Sequence, residues 1–454
     1  MNNQDITKFS ATELIKLINT KKITITELIE STINKIQKIN PQTNAFVHLN
    51  FRQMRETAEN LDKKLDNNES IGPLYGIPIG IKDIFNTKDY PTEMGSSLWK
   101  GFTSGNDARV VHYVRMKNGI ISGKTETAEF AVDALGKSLN PYDAARSPGT
   151  SSSGSAIAVA TGMIPIALGT QTGASIIRPA SFCGIYGFKP SFGLIPRTGM
   201  LKTADTLDQI GFFARTPQDL ELFFNIIHVK GKNYPISNNA LNNESRQIIK
   251  NRPWKIKFVK SHTWDKAEDY AKTALIEFTN ILAQEKYFNV SELILPKYFS
   301  ESHKMHKILY SKSLAYYFKN ELKNKKLVSK IFYEFALDAS HISLEKFDSA
   351  LEYQNKITKS LDQYFESFDI LISLSTAGHA PLRNKKEIDD PSLIWTLCGV
   401  PAINIPNFKS PEGLPFGIQI IARKYNDKLL IQFIKFLHKL NIIKDSPYPK
   451  IMNY

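Results

Sequence analysis

Residues 147–179, SPGTSSSGSAIAVATGMIPIALGTQTGASIIRP, decide the fold of this chain more than any other stretch. The run of small residues from 153 to 163 predicts a tightly packed helix, and the apolar run at 163–172 predicts a short buried strand. A helix followed directly by a buried strand is typical of an α/β sheet. The segment is also richer in hydroxyl and glycine residues than a plain core requires.

The flanking segments extend this pattern in both directions. YGIPIGIKDIF (75–85), GIISGKT (119–125), FDILISLS (368–375), PAINIP (401–406) and FGIQIIA (416–422) predict strands. Residues 1–70 predict helices, two of which begin with the capping boxes Ser10–Glu13 and Thr24–Glu27. We therefore expect an N-terminal helical segment (1–70) and a sheet-containing domain (71–454). A helical insertion is expected at about 231–365.

Two loops rich in glycine and hydroxyl residues, 149–154 and 170–175, flank the predicted helix and strand. Small residues let backbone amides approach a ligand closely, and consecutive amides can stabilise one negative oxygen. Ser175 ends the second loop and is the candidate nucleophile. Either loop alone is more simply explained as a turn and a helix cap, but two such loops together with a lysine favour a catalytic site.

A serine nucleophile needs a base, which here is either a histidine or a lysine. Between positions 73 and 215 the sequence has one histidine, His112, whose helical setting favours a surface or packing role. The G-x-S-x-G motif of α/β-hydrolases is missing, since residues 149–153 read GTSSS. Lys82 ends an apolar run, and because burial lowers the pKa of a lysine it can act as a general base. A strand-end lysine that extends into water is the alternative.

Composition excludes several classes of protein. The 454 residues are 42% hydrophobic and 22% charged, as in globular chains, and the sequence shows neither a membrane span nor a secretory signal. Two cysteines, Cys183 and Cys398, do not make a disulfide framework, which favours a reducing, cytoplasmic setting. The net charge is +14, but the densest lysine run, 319–330, is better explained as a solvated helix face than as a nucleic-acid surface.

Two short motifs are interpreted as chance matches. NGIISGKT (118–125) has asparagine where a phosphate-binding loop requires its first glycine. The S-x-x-K match at 343–346 lies in a polar helical segment without companion motifs. No metal-ligand spacing is present, so we expect no metal site.

Several segments together resemble one family, the amidase signature enzymes. GIPIGIKD resembles the lysine strand of that family, GTSSSGSAIAVATG its Gly/Ser-rich stretch, and GTQTGASIIRPASFCGIYGFKPSFG its nucleophile loop. GIISGKTETAEFA, NPYDAARSPGTSSSGS, TLDQIGFFART and WTLCGVPAINIP are similar to further family segments in the same order. The resemblance covers nearly the whole chain. It implies a large mixed β-sheet flanked by helices, with 71–454 as the amidase catalytic domain.

The resemblance also implies a Ser–cis-Ser–Lys catalytic triad. By motif, Ser175 is the nucleophile, Lys82 is the base, and Ser151 is the bridging serine preceded by a cis peptide bond. The implied oxyanion hole consists of the amides of Thr172, Gly173, Ala174 and Ser175. The implied supporting residues are Ser152 and Arg178.

Three departures from the family pattern concern the support of the nucleophile loop. Ala174 stands where many members have glycine, and Arg178 follows the nucleophile one position later than in many members. Gln171 replaces a common acidic residue. We expect these changes to alter the support of the loop and to leave the triad intact.

The function implied is hydrolysis of a small-molecule carboxylic amide through an acyl-enzyme, without cofactor or metal. Two alternatives stay open: the glutaminase (A) subunit of a tRNA-dependent glutamyl/aspartyl amidotransferase, with heteromeric partner subunits, and a non-enzymatic binding protein on the same fold. We expect no direct contact with nucleic acid or membrane, and a homodimer is left open. The loop 375–379 is expected to face the pocket, with His379 either contacting substrate or having a structural role.

Overall fold

A computed structural model describes residues 5–249, 252–385 and 387–450. Within these ranges the strands are β1 Phe46–His48, β2 Pro78–Lys82, β3 Ile120–Thr125, β4 Ile166–Gln171, β5 Tyr186–Lys189, β6 Gln209–Ala214, β7 Trp254–Phe258, β8 Phe288–Glu292, β9 Ile370–Leu374, β10 Ala402–Lys409 and β11 Pro415–Ala422. They form a single sheet of eleven, in the order β1-β3-β2-β4-β6-β5-β10-β11-β9-β7-β8. The sheet is mixed, because β2 is parallel to both β3 and β4 whereas β6 is antiparallel to both β4 and β5.

Fifteen α-helices of the described chain surround this sheet, which confirms the predicted fold class. Both predicted capping boxes are formed: the Glu13 amide donates to Ser10 Oγ at 3.2 Å, and the Glu27 amide donates to Thr24 Oγ1 at 3.0 Å. The helices are α1 Ala11–Asn19, α2 Ile25–Thr43, α3 Phe51–Asp66, α4 Arg109–Met116, α5 Ser153–Ala160, α6 Ile177–Phe182, α7 Pro217–Ile227, α8 Pro235–Asn242, α9 Glu244–Gln247, α10 Asp269–Gln284, α11 Ser302–Tyr317, α12 Lys330–Asp338, α13 Leu344–Tyr364, α14 Leu393–Leu397 and α15 Asp427–Lys439.

The small-residue helix α5 is buried along its whole length and packs on the sheet. Its packing leaves no room for larger side chains, since a Cβ atom at Gly154 would lie 2.4 Å from the Ala45 carbonyl oxygen and from the Glu126 amide nitrogen. Small residues therefore allow the helix to approach the sheet closely. This approach brings the N-terminal end of α5, with Ser151 and Ser152, against the end of β2.

Three strands lie where the sequence predicts only helices. β1 falls in the N-terminal segment, and β7 and β8 fall in the predicted insertion and extend the same sheet beyond β9. β7 reads WKIKF and β8 reads FNVSE, and both are short and mostly outside the core. Both segments alternate apolar and polar residues, which is a strand pattern, so the helical prediction for them is wrong. Each run is only five residues long and lies among Lys- and Asn-rich helical segments. The domain boundaries stay a prediction.

Other segments have plain structural roles. The phosphate-loop-like stretch is strand β3, and the Ser343 hydroxyl accepts from the Lys346 amide at the start of α13. The thiols of Cys183 and Cys398 are free and buried. In the part of the chain described, no helix is long and apolar enough to cross a bilayer. Nor do these residues contain a group of three or more acidic, histidine or cysteine side chains arranged to hold a metal ion.

Candidate active site

Lys82 lies at the end of β2 with a side chain that is 0% exposed. Its Nζ atom is 2.9 Å from Ser151 Oγ, 2.9 Å from Ser152 Oγ and 2.9 Å from Thr170 Oγ1. Burial lowers the pKa of Lys82 well below its ordinary value, although the negative charges of Asp208 and Glu126 act in the opposite direction. A neutral amine at this position is a competent general base.

The hydrogen bonds of the three hydroxyls around Lys82 determine which of them can give its proton to the amine. Ser152 Oγ donates to the Thr170 carbonyl at 3.1 Å, so this hydroxyl accepts from Lys82. A neutral amine has two N–H donors and one lone pair. It can therefore donate to Ser152 and Thr170 while its lone pair accepts the Ser151 proton, which is the transfer required of a base. Ser152, the predicted supporting residue, thus fixes the orientation of the amine.

The loop that carries Ser151 is held from both sides. The Ser151 carbonyl accepts from Thr127 Oγ1 at 2.8 Å, and Gly149 provides a turn with φ +79°. The prediction of a cis peptide bond before Ser151 is wrong for this structure, because all peptide bonds of the residues described are trans. The trans form is the lower-energy state of a non-proline bond by about 3 kcal/mol.

Ser175 lies just before α6 and is partly exposed. Across the described ranges no hydrogen bond joins its hydroxyl to Ser151 or to another residue, so the predicted Ser151–Ser175 contact is not formed in this state. The loop before it is closed by Gln171, whose Oε1 accepts from the amides of Ile176 at 2.8 Å and Ile177 at 2.9 Å. Its Nε2 donates to Thr396 Oγ1 at 2.7 Å. The side-chain oxygen of Gln171 thus accepts from two backbone amides, as a carboxylate oxygen could. Its NH₂ group also donates to Thr396, which a carboxylate could not do.

Three successive carbonyls of the nucleophile loop are each held by a different donor. The Thr172 carbonyl accepts from His306 Nε2 at 2.8 Å, and the Gly173 carbonyl accepts from Thr396 Oγ1 at 2.5 Å. The Ala174 carbonyl accepts from the Arg178 amide at 2.8 Å. Since C=O and N–H point in opposite directions across a trans peptide, the next three amides point away from these donors.

The amides so directed belong to Gly173, Ala174 and Ser175, and none of them donates to another described residue. Unpaired amides in a rigid loop are what an oxyanion hole requires. The amide of Thr172 is not oriented by these bonds, so its predicted role rests on the motif alone. The Thr172 hydroxyl instead donates to Asp208 at 2.7 Å, which holds the start of the loop.

Arg178 connects helix α6 to the loop of Thr150 and to the segment that carries Glu387 and Asp390. Its guanidinium donates to Thr150 Oγ1 at 2.8 Å and to Asp390 Oδ2 at 2.9 Å, and it pairs closely with Glu387. Burial alone would lower the Arg178 pKa, but the carboxylates of Asp390 and Glu387 outweigh it and raise the pKa. Because Thr150 precedes Ser151, Arg178 holds the loop that carries Ser151.

His379 lies in the wall of a cavity of about 250 Å³. Its Nε2 is 2.9 Å from Arg146 Nη1 and 3.0 Å from Glu412 Oε2, and its Nδ1 is 2.8 Å from Tyr270 Oη. Both ring nitrogens are thus engaged by protein groups. These contacts favour the structural role of His379 over direct contact with substrate. The cavity is also lined by Phe182, Thr376, Ala377, Glu387 and Asp390.

The sequence did not single out three residues that complete the site. Thr170 lies in the glycine- and hydroxyl-rich loop 170–175, and Thr396 lies in the family-like segment WTLCGVPAINIP. His306 lies in a Lys- and Tyr-rich helix whose pattern is that of an ordinary amphipathic segment, and nothing local marks it. His112, for which the sequence favours a surface or packing role, is exposed on α4.

Comparison with known proteins identifies the family. The family model named Amidase matches residues 27–431. The chain is 29% identical over 487 residues to the (A) subunit of the glutamyl-tRNA(Gln) amidotransferase of Sulfurihydrogenibium sp. (strain YO3AOP1), covering 96% of this chain and 98% of that protein.

Two solved structures show the same fold. A chain from a vestigial protein complex linked to the evolutionary origins of an s-triazine catabolic enzyme has a TM-score of 0.87 at 22% identity, with 97% of this chain and 100% of that chain covered. A crystal structure of an amidase has a TM-score of 0.85 at 24% identity, with 95% and 100% covered. With the family model spanning most of its length, the chain belongs to the amidase signature family, whose enzymes act on carbon–nitrogen bonds.

Proposed function

We propose that this chain hydrolyses the C–N bond of a carboxylic amide, with Ser175 as nucleophile, Ser151 as bridging serine and Lys82 as base. The observation that carries the proposal is the buried Lys82 Nζ atom, 2.9 Å from Ser151 Oγ. A buried lysine surrounded by hydroxyls and low in pKa is suited to accept a proton at neutral pH. The non-enzymatic alternative is disfavoured, since a binding protein has no use for such a lysine.

The reaction begins when substrate brings the Ser175 hydroxyl within reach of Ser151. Ser175 Oγ bonds to the carbonyl carbon, its proton passes to Ser151, and the Ser151 proton passes to Lys82. The carbonyl electron pair moves to the oxygen, which the amides of Gly173, Ala174 and Ser175 stabilise. The C–N bond then breaks as the proton returns through Ser151 to the leaving nitrogen. Water cleaves the resulting acyl-enzyme by the same proton route.

The chain acts either as a free-standing amidase or as the glutaminase component of an amidotransferase, and the comparisons favour the amidotransferase component. A free-standing amidase is favoured by the divergent helical insertion at about 231–365 and by the Ile176-Ile177-Arg178 order after the nucleophile. The glutaminase component of a tRNA-dependent amidotransferase is favoured by the curated relative named above, which matches this chain almost end to end. In that setting the ammonia released from glutamine passes to a partner protein. For either setting we propose a cytoplasmic location, in keeping with two free, buried cysteines.

The chemistry is tested by ammonia or amine release from glutamine, asparagine, and linear aliphatic and aryl amides. Wild-type chain is expected to release product from at least one of them, and Ser175→Ala is expected to abolish release while leaving thermal unfolding unchanged. Ser340→Ala, at an exposed serine outside the loops 149–154 and 170–175, is the matched control. Full activity in Ser175→Ala contradicts the assignment of the nucleophile.

The setting is tested by size-exclusion chromatography of the purified chain before and after incubation with cell extract, combined with the same release assay. A stable heteromer that gains glutaminase activity supports the amidotransferase component. Robust hydrolysis of a non-glutamine amide by the chain alone, with no heteromer formed, supports the free-standing enzyme.

A further inference from the structure

His306 reaches the nucleophile loop from α11, a helix far from it in sequence. The ring is 6% exposed, and its Nε2 atom is 2.8 Å from the Thr172 carbonyl oxygen. A Cβ atom at Gly173 would meet only His306, with Cε1 at 3.7 Å and Nε2 at 3.8 Å. The ring therefore lies against the peptide unit that joins Thr172 to Gly173.

The chemistry of the contact settles which atom carries the proton. A carbonyl oxygen can only accept, so His306 Nε2 carries the hydrogen and donates it. Burial lowers the pKa of His306, although its bond to Thr172 and the charge of Asp133 act in the opposite direction. The ring is thus a neutral Nε2–H donor. Thr172 is held at both ends, since its hydroxyl donates to Asp208 at 2.7 Å.

This bond determines the direction of one oxyanion donor. The Thr172 carbonyl and the Gly173 N–H belong to one planar trans peptide and point in opposite directions. Fixing the carbonyl toward α11 fixes the Gly173 N–H toward the other side of the loop. Without His306 the Thr172 carbonyl loses its donor, and Gly173, which has no side chain, resists rotation of this peptide plane less than another residue would.

We propose that His306 is a positioning residue that orients the Gly173 amide toward the oxyanion, and that it couples the packing of α11 to catalysis. The inference rests on the proposed function, because it assumes that an oxyanion forms at this loop. His306 itself touches neither the reacting atoms nor Lys82. Its effect is on the transition state and not on ground-state binding, since the charge it helps to stabilise develops only during the reaction.

The test compares two variants of nearly equal shape. His306→Gln places an amide N–H near the position of Nε2, whereas His306→Met has the same length and no donor. We expect His306→Met to lower kcat by about 10- to 100-fold with KM within about 3-fold, since complete loss of an oxyanion donor costs about 10²–10³ in rate. His306→Gln is expected to recover most of kcat.

A second measurement reports on the tetrahedral state directly. Phenylboronic acid forms a tetrahedral adduct with a serine nucleophile and places an oxygen in the oxyanion hole. Its inhibition constant is expected to rise for His306→Met in proportion to the fall in kcat, as for a transition-state analogue. His306→Asn, polar but too short to reach Thr172, is expected to resemble His306→Met and replaces it if that variant does not fold.

The control is His303→Gln, the same substitution one turn earlier on α11, where the side chain contacts His262 and not the loop. Equal kcat in His306→Gln and His306→Met, whether high or low, overturns the inference while leaving Ser175 as the nucleophile. Full activity in Ser175→Ala contradicts the proposed function itself, whatever the His306 variants show.

Discussion

Two buried lysines lie on adjacent parallel strands and have opposite surroundings. Lys82 on β2 and Lys124 on β3 are both 0% exposed, and Lys124 is in register with Ile81. Lys82 Nζ contacts three hydroxyls. Lys124 Nζ is 3.0 Å from Asp83 Oδ1 and donates to the carbonyls of Phe85 and Pro91, each at 2.9 Å. It also donates at 2.7 Å to the hydroxyl of Thr92, whose own hydrogen goes to the Phe85 carbonyl.

The two lysines differ in whether their hydrogen-bond partners can donate a hydrogen as well as accept one. Carboxylate and carbonyl oxygens only accept, so the three contacts of Lys124 with such oxygens require the three hydrogens of an ammonium. Hydroxyls both donate and accept, so the contacts of Lys82 can be satisfied by a neutral amine. Partner chemistry, and not burial alone, therefore separates a structural cation from a candidate base.

The largest expected effect is on activity at Lys82. Lys82→Met is expected to lower kcat/KM by about 10²–10⁴-fold, the contribution typical of a general base. The fold should persist, because the hydroxyls left behind can bond to one another or to backbone carbonyls. Release of ammonia or amine and thermal unfolding are the two measurements. An activity within threefold of wild type would falsify the role of Lys82.

The same substitution at Lys124 is expected to act on stability instead. Lys124→Met leaves the carboxylate of Asp83 buried and unpaired, which lowers the free energy of unfolding by about 3–5 kcal/mol. The folded fraction should keep near-wild-type kcat. Denaturant titration gives the free energy, and adding Asp83→Leu is expected to restore part of it. A loss below about 1 kcal/mol would show that the ion pair is not required.

The smallest expected effect is the pH dependence that the lowered pKa of Lys82 gives to kcat/KM and to the free energy of unfolding. Catalysis needs neutral Lys82, so kcat/KM should rise about tenfold per pH unit on the acid side of its lowered pKa and level off above it. Between that pKa and the ordinary value near 10.5 the unfolded chain binds more protons, so the free energy of unfolding rises with pH there. Lys82→Met should remove this contribution. A pH–rate profile that climbs with unit slope to about 10.5 contradicts a lowered pKa.

Local sequence patterns predicted much of this molecule correctly. The capping boxes of α1 and α2, the strands β2, β3 and β4, and the small-residue helix α5 follow from periodicity and from residue size, which act over a few neighbouring positions. The position of Lys82 at the end of a buried strand was predicted in the same way, because an apolar run followed by a charge needs no distant partner to be recognised.

The pairing of side chains across the fold was decided only by tertiary structure. Asp83 adjoins Lys82 in sequence yet pairs with Lys124, because successive side chains of an extended segment point to opposite sides. Strand β7 pairs with β9, and β8 pairs in turn with β7, so the place of both strands in the sheet depends on distant partners. The His306 bond to Thr172 joins residues 134 positions apart. Hydrogen bonds of this kind depend on the path of the chain, so short-range patterns carry no trace of them.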